Sequence, residues 1–279
     1  MADSPMLRPT PTWTANQVRA FIEQHKPGEY TLLDVRQPEE YAQGHLPGSL
    51  LIPLGELHQR LGELDRSRTA IVYCRSGVRS ANAAGVLLNA GFGDVRNLSG
   101  GILAWRGTVA TGAPEAGMWW FQEARDPADY ISLAWILEEG ARLFYGRMSE
   151  QFASEDAGGL FRSLAAEEAQ HKSTLRGLYG TLTGRAGDPL SPEEVAAFDR
   201  MEGGLSLTKV LGWADGRGAI DVLEFSVAME VNSYDLYLRV GRTVGGEESR
   251  AVLRSLAEEE KVHLDRLIDA FTQLTGLRA

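Results

Sequence analysis

The chain has 279 residues, a formal charge of -10 and a sequence pI near 5.1. That length accommodates about two domains, and an acidic balance without a basic tract excludes non-specific nucleic-acid binding. The single cysteine, Cys74, excludes an intramolecular disulfide and any cysteine-rich zinc or iron–sulfur site within one chain.

Taken in order, the first ten residues are polar, contain prolines and are expected to be loose. Thr14 is placed to cap a helix over residues 16–24, which Lys26-Pro27-Gly28 ends. Residues 30–35 (YTLLDV) read as a strand. A turn at Pro47–Gly48 leads into another short strand, and residues 69–74 (TAIVYC) read as a buried one. Residues 78–92 carry apolar positions at helical spacing and stop at glycine; residues 94–98 form the next strand. Strands alternating with helices over short connections predict a small α/β domain, residues 1–112, with a mostly parallel sheet.

The chemistry of this half sits where strand gives way to helix. Cys74 closes a strand and Val78 opens a helix, with Arg75, Ser76 and Gly77 between them. Such a turn curls main-chain N–H groups around the sulfur, and the helix adds its positive end. Arg75 and Arg79 add formal charge. Each effect favours the thiolate, the nucleophilic form. The plainer alternative is a small buried hydrophobe at a strand end.

With these residues in view, the segment resembles a single-domain rhodanese, a sulfurtransferase. The matching stretches are LLDVRQPEEYAQGHLPGSLLIPL (32–54), IVYCRSGVRSANAA (71–84) and GGILAW (100–105). The resemblance implies that Cys74 takes sulfane sulfur from thiosulfate or a persulfide donor and passes it to an external thiol or to cyanide. It further implies that Asp34, Arg36 and Glu40 brace the active loop, with Ser76, Gly77, Val78 and Ser80 completing its support. An ordinary solvated ion-pair network is the alternative for the charged three. Related phosphatases need C-x5-R; here Arg79 gives C-x4-R and position 80 is Ser80, which favours sulfur transfer.

Residues 113–125 read as a linker, punctuated by Gly, Ala and Pro, although Trp119, Trp120 and Phe121 are too apolar for a free tether. Beyond it, residues 126–279 are organised by a repeat. LRSLAEEEKVH (253–263) echoes FRSLAAEEAQH (161–171) at an offset of 92, and each ends in E-x-x-H. Upstream, Glu138 precedes Tyr145 by seven and Glu230 precedes Tyr237 by seven, again 92 apart. Four long helices are predicted, over about 126–152, 155–181, 220–240 and 247–274, with a crossing segment at 182–218. That segment holds two short helices, one capped by Ser191 with Pro192 at its first position. Leu178 is assigned to the inner face of the second long helix with Phe161, Leu164 and Leu175. Residues three apart share a helix face, so Glu138, Glu168, His171, Glu230, Glu260 and His263 point inward. Unpaired, such carboxylates are costly to bury. Glu from two helices and Glu-x-x-His from two others is the inventory of di-iron carboxylate bundles. Glu139, Glu167, Glu258 and Glu259 fall off the stripe and are expected on solvated faces. One isolated E-x-x-H is a weak signal, and without H-E-x-x-H a zinc protease has no support.

This half resembles the rubrerythrin branch of the ferritin-like superfamily, through LEEGARLFYGRMSE (137–150), LAAEEAQHKSTL (164–175), MEVNSYDLYLRV (229–240) and LAEEEKVHLDRL (256–267). The resemblance implies an all-α ferritin-like four-helix bundle holding two irons, with Glu168 and Glu260 shared between them. Tyr145 and Tyr237 stand beside the ligands; manganese or zinc suits the same donors. It implies peroxide reduction or oxygen activation. The chain lacks the four cysteines of a rubredoxin-like site, so an external electron donor is expected. The alternative is a non-catalytic iron-binding, storage or sensing bundle fused to a sulfur carrier. A homodimer is expected. The chain shows no signal-peptide pattern and no apolar run of membrane-spanning length. With a lone thiol, this leads to the expectation of a cytoplasmic protein.

Overall fold

A computed structural model describes residues 10–276; the stretch expected to be loose lies outside these, except for Thr10. The chain divides into two compact units, Met1–Ala116 and Gly117–Ala279.

The first unit contains β1 (Thr12–Trp13), α1 (Ala15–Gln24), β2 (Tyr30–Asp34), α2 (Pro38–Gln43), β3 (Leu50–Leu51), β4 (Thr69–Tyr73), α3 (Val78–Asn89), β5 (Val95–Leu98) and α4 (Gly101–Ala104). The strands form one sheet in the order β1-β5-β4-β2-β3, with every pairing parallel. β4 is central, and its Ala70, Ile71, Val72 and Tyr73 are buried, as a strand covered on both faces requires. Thr14 caps α1 through a reciprocal box with Gln17. Three elements escaped the sequence reading: β1, α2 and the single turn α4. β1 is only two residues long, too short for a period. α2 starts on a proline and is stabilised at its N-terminus by Glu40, whose carboxylate accepts from the Gln37 N–H at 3.2 Å.

The second unit is helical. Its long helices are α5 (Pro127–Gln151), α6 (Asp156–Thr183), α9 (Ala219–Thr243) and α10 (Glu247–Thr275). The crossing segment between α6 and α9 carries α7 (Pro192–Ala197) and α8 (Leu207–Ala214). The short connection from α5 to α6 turns the chain back on itself, so that Phe152 meets Phe161 near the turn and Glu138 meets His171 farther along. α9 and α10 pair in the same way. Asp126 caps α5 by accepting from the Asp129 N–H, and Ser191 caps α7. Residues 118–121 form a 3₁₀ turn whose Phe121 is buried against Tyr130 and Tyr237.

Leu178 corrects the sequence reading: it is 37% exposed while Leu175 is buried. At roughly 100° per residue it lies about 100° around the helix from Phe161, at the outer edge of the stripe. No helix among the described residues is long and apolar enough to cross a membrane.

Candidate functional site

Cys74 follows the carboxyl end of β4 and is 1% exposed. Its Sγ accepts hydrogen bonds from the Gly77 N–H at 3.1 Å and the Ser80 hydroxyl at 3.4 Å. Gly77 can donate because its φ is +92°, in the left-handed region. The Gly77 carbonyl is drawn away by the Asn97 amide at 3.2 Å. Burial pushes the Cys74 thiol up, but hydrogen bonds from the Ser80 side chain and from the Ser80, Ser76 and Gly77 main chain outweigh it and lower its pKa.

The loop is clamped from behind. The Cys74 carbonyl accepts from the Ile102 N–H at 2.8 Å and the Arg75 carbonyl from Leu103 at 3.2 Å. Gly101 makes this approach possible: a Cβ there would sit 2.3 Å from the Cys74 carbonyl oxygen, and its φ is +57°. Clash and left-handed backbone together lead us to expect that Gly101→Ala destabilises the unit by roughly 2–5 kcal/mol in denaturant unfolding.

Of the two expected charges, Arg75 is exposed. Arg79 donates bidentately to Glu40, with both contacts at 2.7 Å. That pair holds the Glu40 carboxyl down to about 2. Arg36 and Asp34 are a buried pair in which Arg36 Nε donates to both carboxylate oxygens (3.0 and 2.9 Å), and Arg36 also donates to the Gly44 carbonyl at 2.7 Å. It thereby ties β2 to the end of α2, which carries Glu40. Ser80 is buried and Val78 is 69% exposed, so Val78 contributes through its backbone at the start of α3. The role of Gly100-Gly101 in the GGILAW stretch emerges only from the folded chain, where Gly101 admits the Cys74–Arg75 backbone. The signal available was a Gly-Gly pair right after a strand.

The helical unit gathers Glu138 (α5), Glu168 and His171 (α6), Glu230 (α9), and Glu260 and His263 (α10). All four carboxylates are 0–1% exposed. The Nδ1 atom of His171 lies 3.2 Å from Glu138 and 3.5 Å from Glu168, and that of His263 lies 3.3 Å from Glu168. The two rings stack at 4.5 Å. Donor atoms of Glu168, His171 and His263, and separately of Glu230, Glu260 and His263, lie within 4.8 Å of one another. Tyr145 donates its hydroxyl to Glu230; Tyr237 is buried in the same core.

Glu167 and Glu259 correct the expectation of solvated faces. Glu167 reaches His263 Nε2 at 3.1 Å, and Glu259 faces His171 Nε2 at 3.8 Å. Each histidine therefore turns Nδ1 inward to the cluster and Nε2 outward to a glutamate of the opposite helix. The E-E-x-x-H repeat encodes both contacts, because consecutive glutamates diverge by about 100° around the helix. Carboxylates placed behind histidines in this way fix ring orientation. Glu139 instead pairs with Arg142 and Lys172. A pocket of about 410 Å³, lined by Glu167, His171, Ser255, Glu259, His263 and Arg266 among others, opens on the Nε2 side.

A fifth buried glutamate went unnoticed in the sequence. Glu202 lies in the crossing segment, is 0% exposed, and has donor oxygens within 4.8 Å of Glu138 and Glu260, and of Glu168 and Glu230. It belongs to no helical period; its one signal is a carboxylate set between Met201 and Gly203-Gly204.

Among the described residues, both oxygens of Glu168, Glu202 and Glu260, and one each of Glu138 and Glu230, lack a hydrogen bond. Burial pushes Glu138 up to about 7 and drives Glu202 and Glu260 well above the usual carboxylate range, reinforced by their carboxylate neighbours. For the imidazoles burial works against charge. Glu138 and Glu168 nevertheless raise His171 to about 11, and Glu168 and Glu230 raise His263 to about 9. Even two imidazolium charges are outnumbered by the five carboxylates. Buried oxygens without partners, converging at ligand spacing with imidazole nitrogens, are the donor set that oxygen- and nitrogen-preferring divalent metals take. The residues present therefore fit a metal centre.

The first unit thus presents a polarised thiol at the carboxyl end of a central parallel strand, in a loop of inward N–H groups. A thiol so placed has the setting that thiolate nucleophiles require. Residues 14–108 match the rhodanese-like domain family. A sulfurtransferase of Allochromatium vinosum is 45% identical over 74 residues, which cover 26% of this chain and 69% of that protein. The probable adenylyltransferase/sulfurtransferase MoeZ of Mycobacterium tuberculosis is 38% identical over 96 residues, 34% of this chain and 24% of that protein. Among solved structures, a rhodanese-like domain protein from Staphylococcus aureus aligns at 28% identity and a TM-score of 0.34, covering 37% of this chain and 99% of that one. The chain belongs to the rhodanese-like family.

Proposed function

We propose that this chain carries two chemistries: sulfane-sulfur transfer at Cys74, and redox chemistry at a di-iron centre in the helical unit. The observation behind the first is the Cys74 sulfur held by N–H and O–H donors. The thiolate attacks the outer sulfur of thiosulfate, a new S–S bond forms, and sulfite leaves with the electron pair of the broken one. The loop's N–H groups then face the negative terminal sulfur of the Cys74 persulfide. A thiolate acceptor attacks that sulfur, takes it, and returns Cys74 to the thiolate. A persulfide donor reacts in the same way, with a thiolate as leaving group.

The observation behind the second is the set of buried carboxylate oxygens without hydrogen bonds. In this reading Glu138, Glu168, His171, Glu230, Glu260 and His263 hold two irons, or manganese or zinc. Bound iron supplies the electrons for peroxide reduction or oxygen activation. The chain's own residues bind and orient: Glu167 holds the His263 imidazole from outside, Glu259 faces that of His171 at 3.8 Å, and Tyr145 fixes Glu230. The pocket beside the histidines offers a small oxidant its approach. Because Cys74 is the single cysteine, electrons come from an external donor.

Intact-mass analysis after incubation with thiosulfate tests the first half. A gain of one sulfur atom, removed by cyanide, is expected; no adduct from any sulfane donor would overturn it. Peroxide consumption by iron-loaded protein with a reducing dye tests the second. Bound iron without turnover would favour storage instead.

A further inference from the structure

The crossing segment delivers Glu202 by means of a built turn. The Met201 N–H donates to the Leu205 carbonyl at 2.9 Å, and the Gly204 N–H to the Met201 carbonyl at 3.0 Å. Gly203 and Gly204 both adopt positive φ, +67° and +74°, which lets the chain reverse within three residues. Met201 and Glu202 are both 0% exposed.

The turn is seated directly on α5. A Cβ on Gly140 would lie 2.1 Å from the Arg200 carbonyl oxygen and 2.6 Å from Met201 Cα. Gly140 is two residues from Glu138. Only a glycine lets the crossing backbone approach so closely beside that carboxylate. Gly204, in turn, passes against the Trp120 ring, where a Cβ would lie 2.9 Å from Nε1.

What the turn carries is costly. Glu202 has no hydrogen bond on either oxygen. Its ligand-spacing neighbours are Glu138, Glu168, Glu230 and Glu260, all carboxylates. A fully buried carboxylate among four others is retained only at a large free-energy penalty unless a cation lies among them. Hydrophobic packing would be met better by leucine or methionine at this position.

We propose that Glu202 is a seventh ligand of the metal centre, supplied by the crossing segment rather than by a helix, so that metal binding pins this segment to the four helices. The inference rests on the metal-binding reading of the helical unit. It adds a carboxylate that lies outside the 92-residue repeat and breaks the symmetry between its two halves.

The test is the full-length chain with Glu202→Gln, which keeps shape and removes charge, titrated without oxygen with Fe(II) and separately with Co(II). Metal affinity should fall at least about tenfold, in line with the sensitivity of such sites to their supporting groups. The Co(II) absorption bands should change, because the ligand set changes. In metal-free protein Glu202→Gln should unfold at the same temperature as wild type or higher, since a buried carboxyl group without a hydrogen bond has gone. With metal the order should reverse. A merely structural role for Glu202 predicts the same loss of stability with and without metal, and that result would overturn the proposal. So would unchanged affinity and Co(II) bands in the variant while wild type binds two metals, an outcome that leaves the metal-binding reading standing. Wild type that binds no metal would overturn both. Should Glu202→Gln fail to fold, Glu202→Asp carries the test: it keeps the charge but withdraws the oxygens by one methylene, so its Co(II) bands should shift. Unshifted bands would count against ligation.

Discussion

Replacing Cys74 with serine is expected to abolish sulfur uptake from thiosulfate and to lower turnover to background, by at least about 10³-fold. The substitution is close to isosteric in a site that is 1% exposed, so the fold should survive. What is lost is the nucleophile. A serine hydroxyl remains protonated where the Cys74 thiol is already lowered toward ionisation, and it forms no stable bond to sulfane sulfur. The sign of the pH dependence follows from the same geometry. Burial raises the thiol, but hydrogen bonds from Ser80, Ser76 and Gly77 prevail. The rate of alkylation against pH should therefore have its midpoint below that of an unperturbed cysteine. Ser80→Ala removes the 3.4 Å hydroxyl donor and should move that midpoint upward. A midpoint at or above the free-cysteine value in wild type would contradict the account of the loop.

The second large effect is on stability. A ligand that binds only the folded state stabilises it by RT ln(1 + [L]/Kd), about 2.7 kcal/mol at a hundredfold excess over Kd. For a domain of this size that is roughly 5–10 °C in Tm. The helical unit should gain far more from metal than an ordinary bundle. In its absence five buried carboxyl groups crowd one another with eight oxygens that make no hydrogen bond, and burial holds Glu138, Glu202 and Glu260 toward their neutral forms. Scanning calorimetry with and without Fe(II), or with Zn(II) to avoid redox chemistry, should show this shift in wild type. Glu168→Ala together with Glu260→Ala should erase it. These two lie in different helices and their four oxygens make no hydrogen bonds, although Glu168 also faces both imidazoles, at 3.5 and 3.3 Å. A shift that persists in the double variant would place the metal elsewhere.

Much of this arrangement was legible in the chain. The 92-residue offset brings Glu138, Glu168, His171, Glu230, Glu260 and His263 into one register, and helical geometry carries register into space. Cys74 was legible because a strand, a short turn and a helix follow one another without interruption. What escaped is what depends on contacts between distant segments. Gly101 and Gly140 look like any glycine until the backbone they admit is known, Cys74–Arg75 in one case and Arg200–Met201 in the other. Glu202 lies on a turn, where no period marks an inward side chain. Glu167 and Glu259 were assigned to water because the stripe was drawn for one helix at a time. The facing helix supplies the imidazole that each one meets. Leu178 failed for the opposite reason: spacing placed it on the stripe, yet the stripe drifts around the helix over seventeen residues.

Bound metal per chain, in protein purified without oxygen, bears most directly on the helical unit. About two irons in wild type, absent from the Glu168→Ala, Glu260→Ala double variant, is the predicted result. Wild type that stays metal-free after anaerobic iron addition, with its Tm unchanged, would contradict it and leave a sulfur-transfer domain joined to a purely structural bundle.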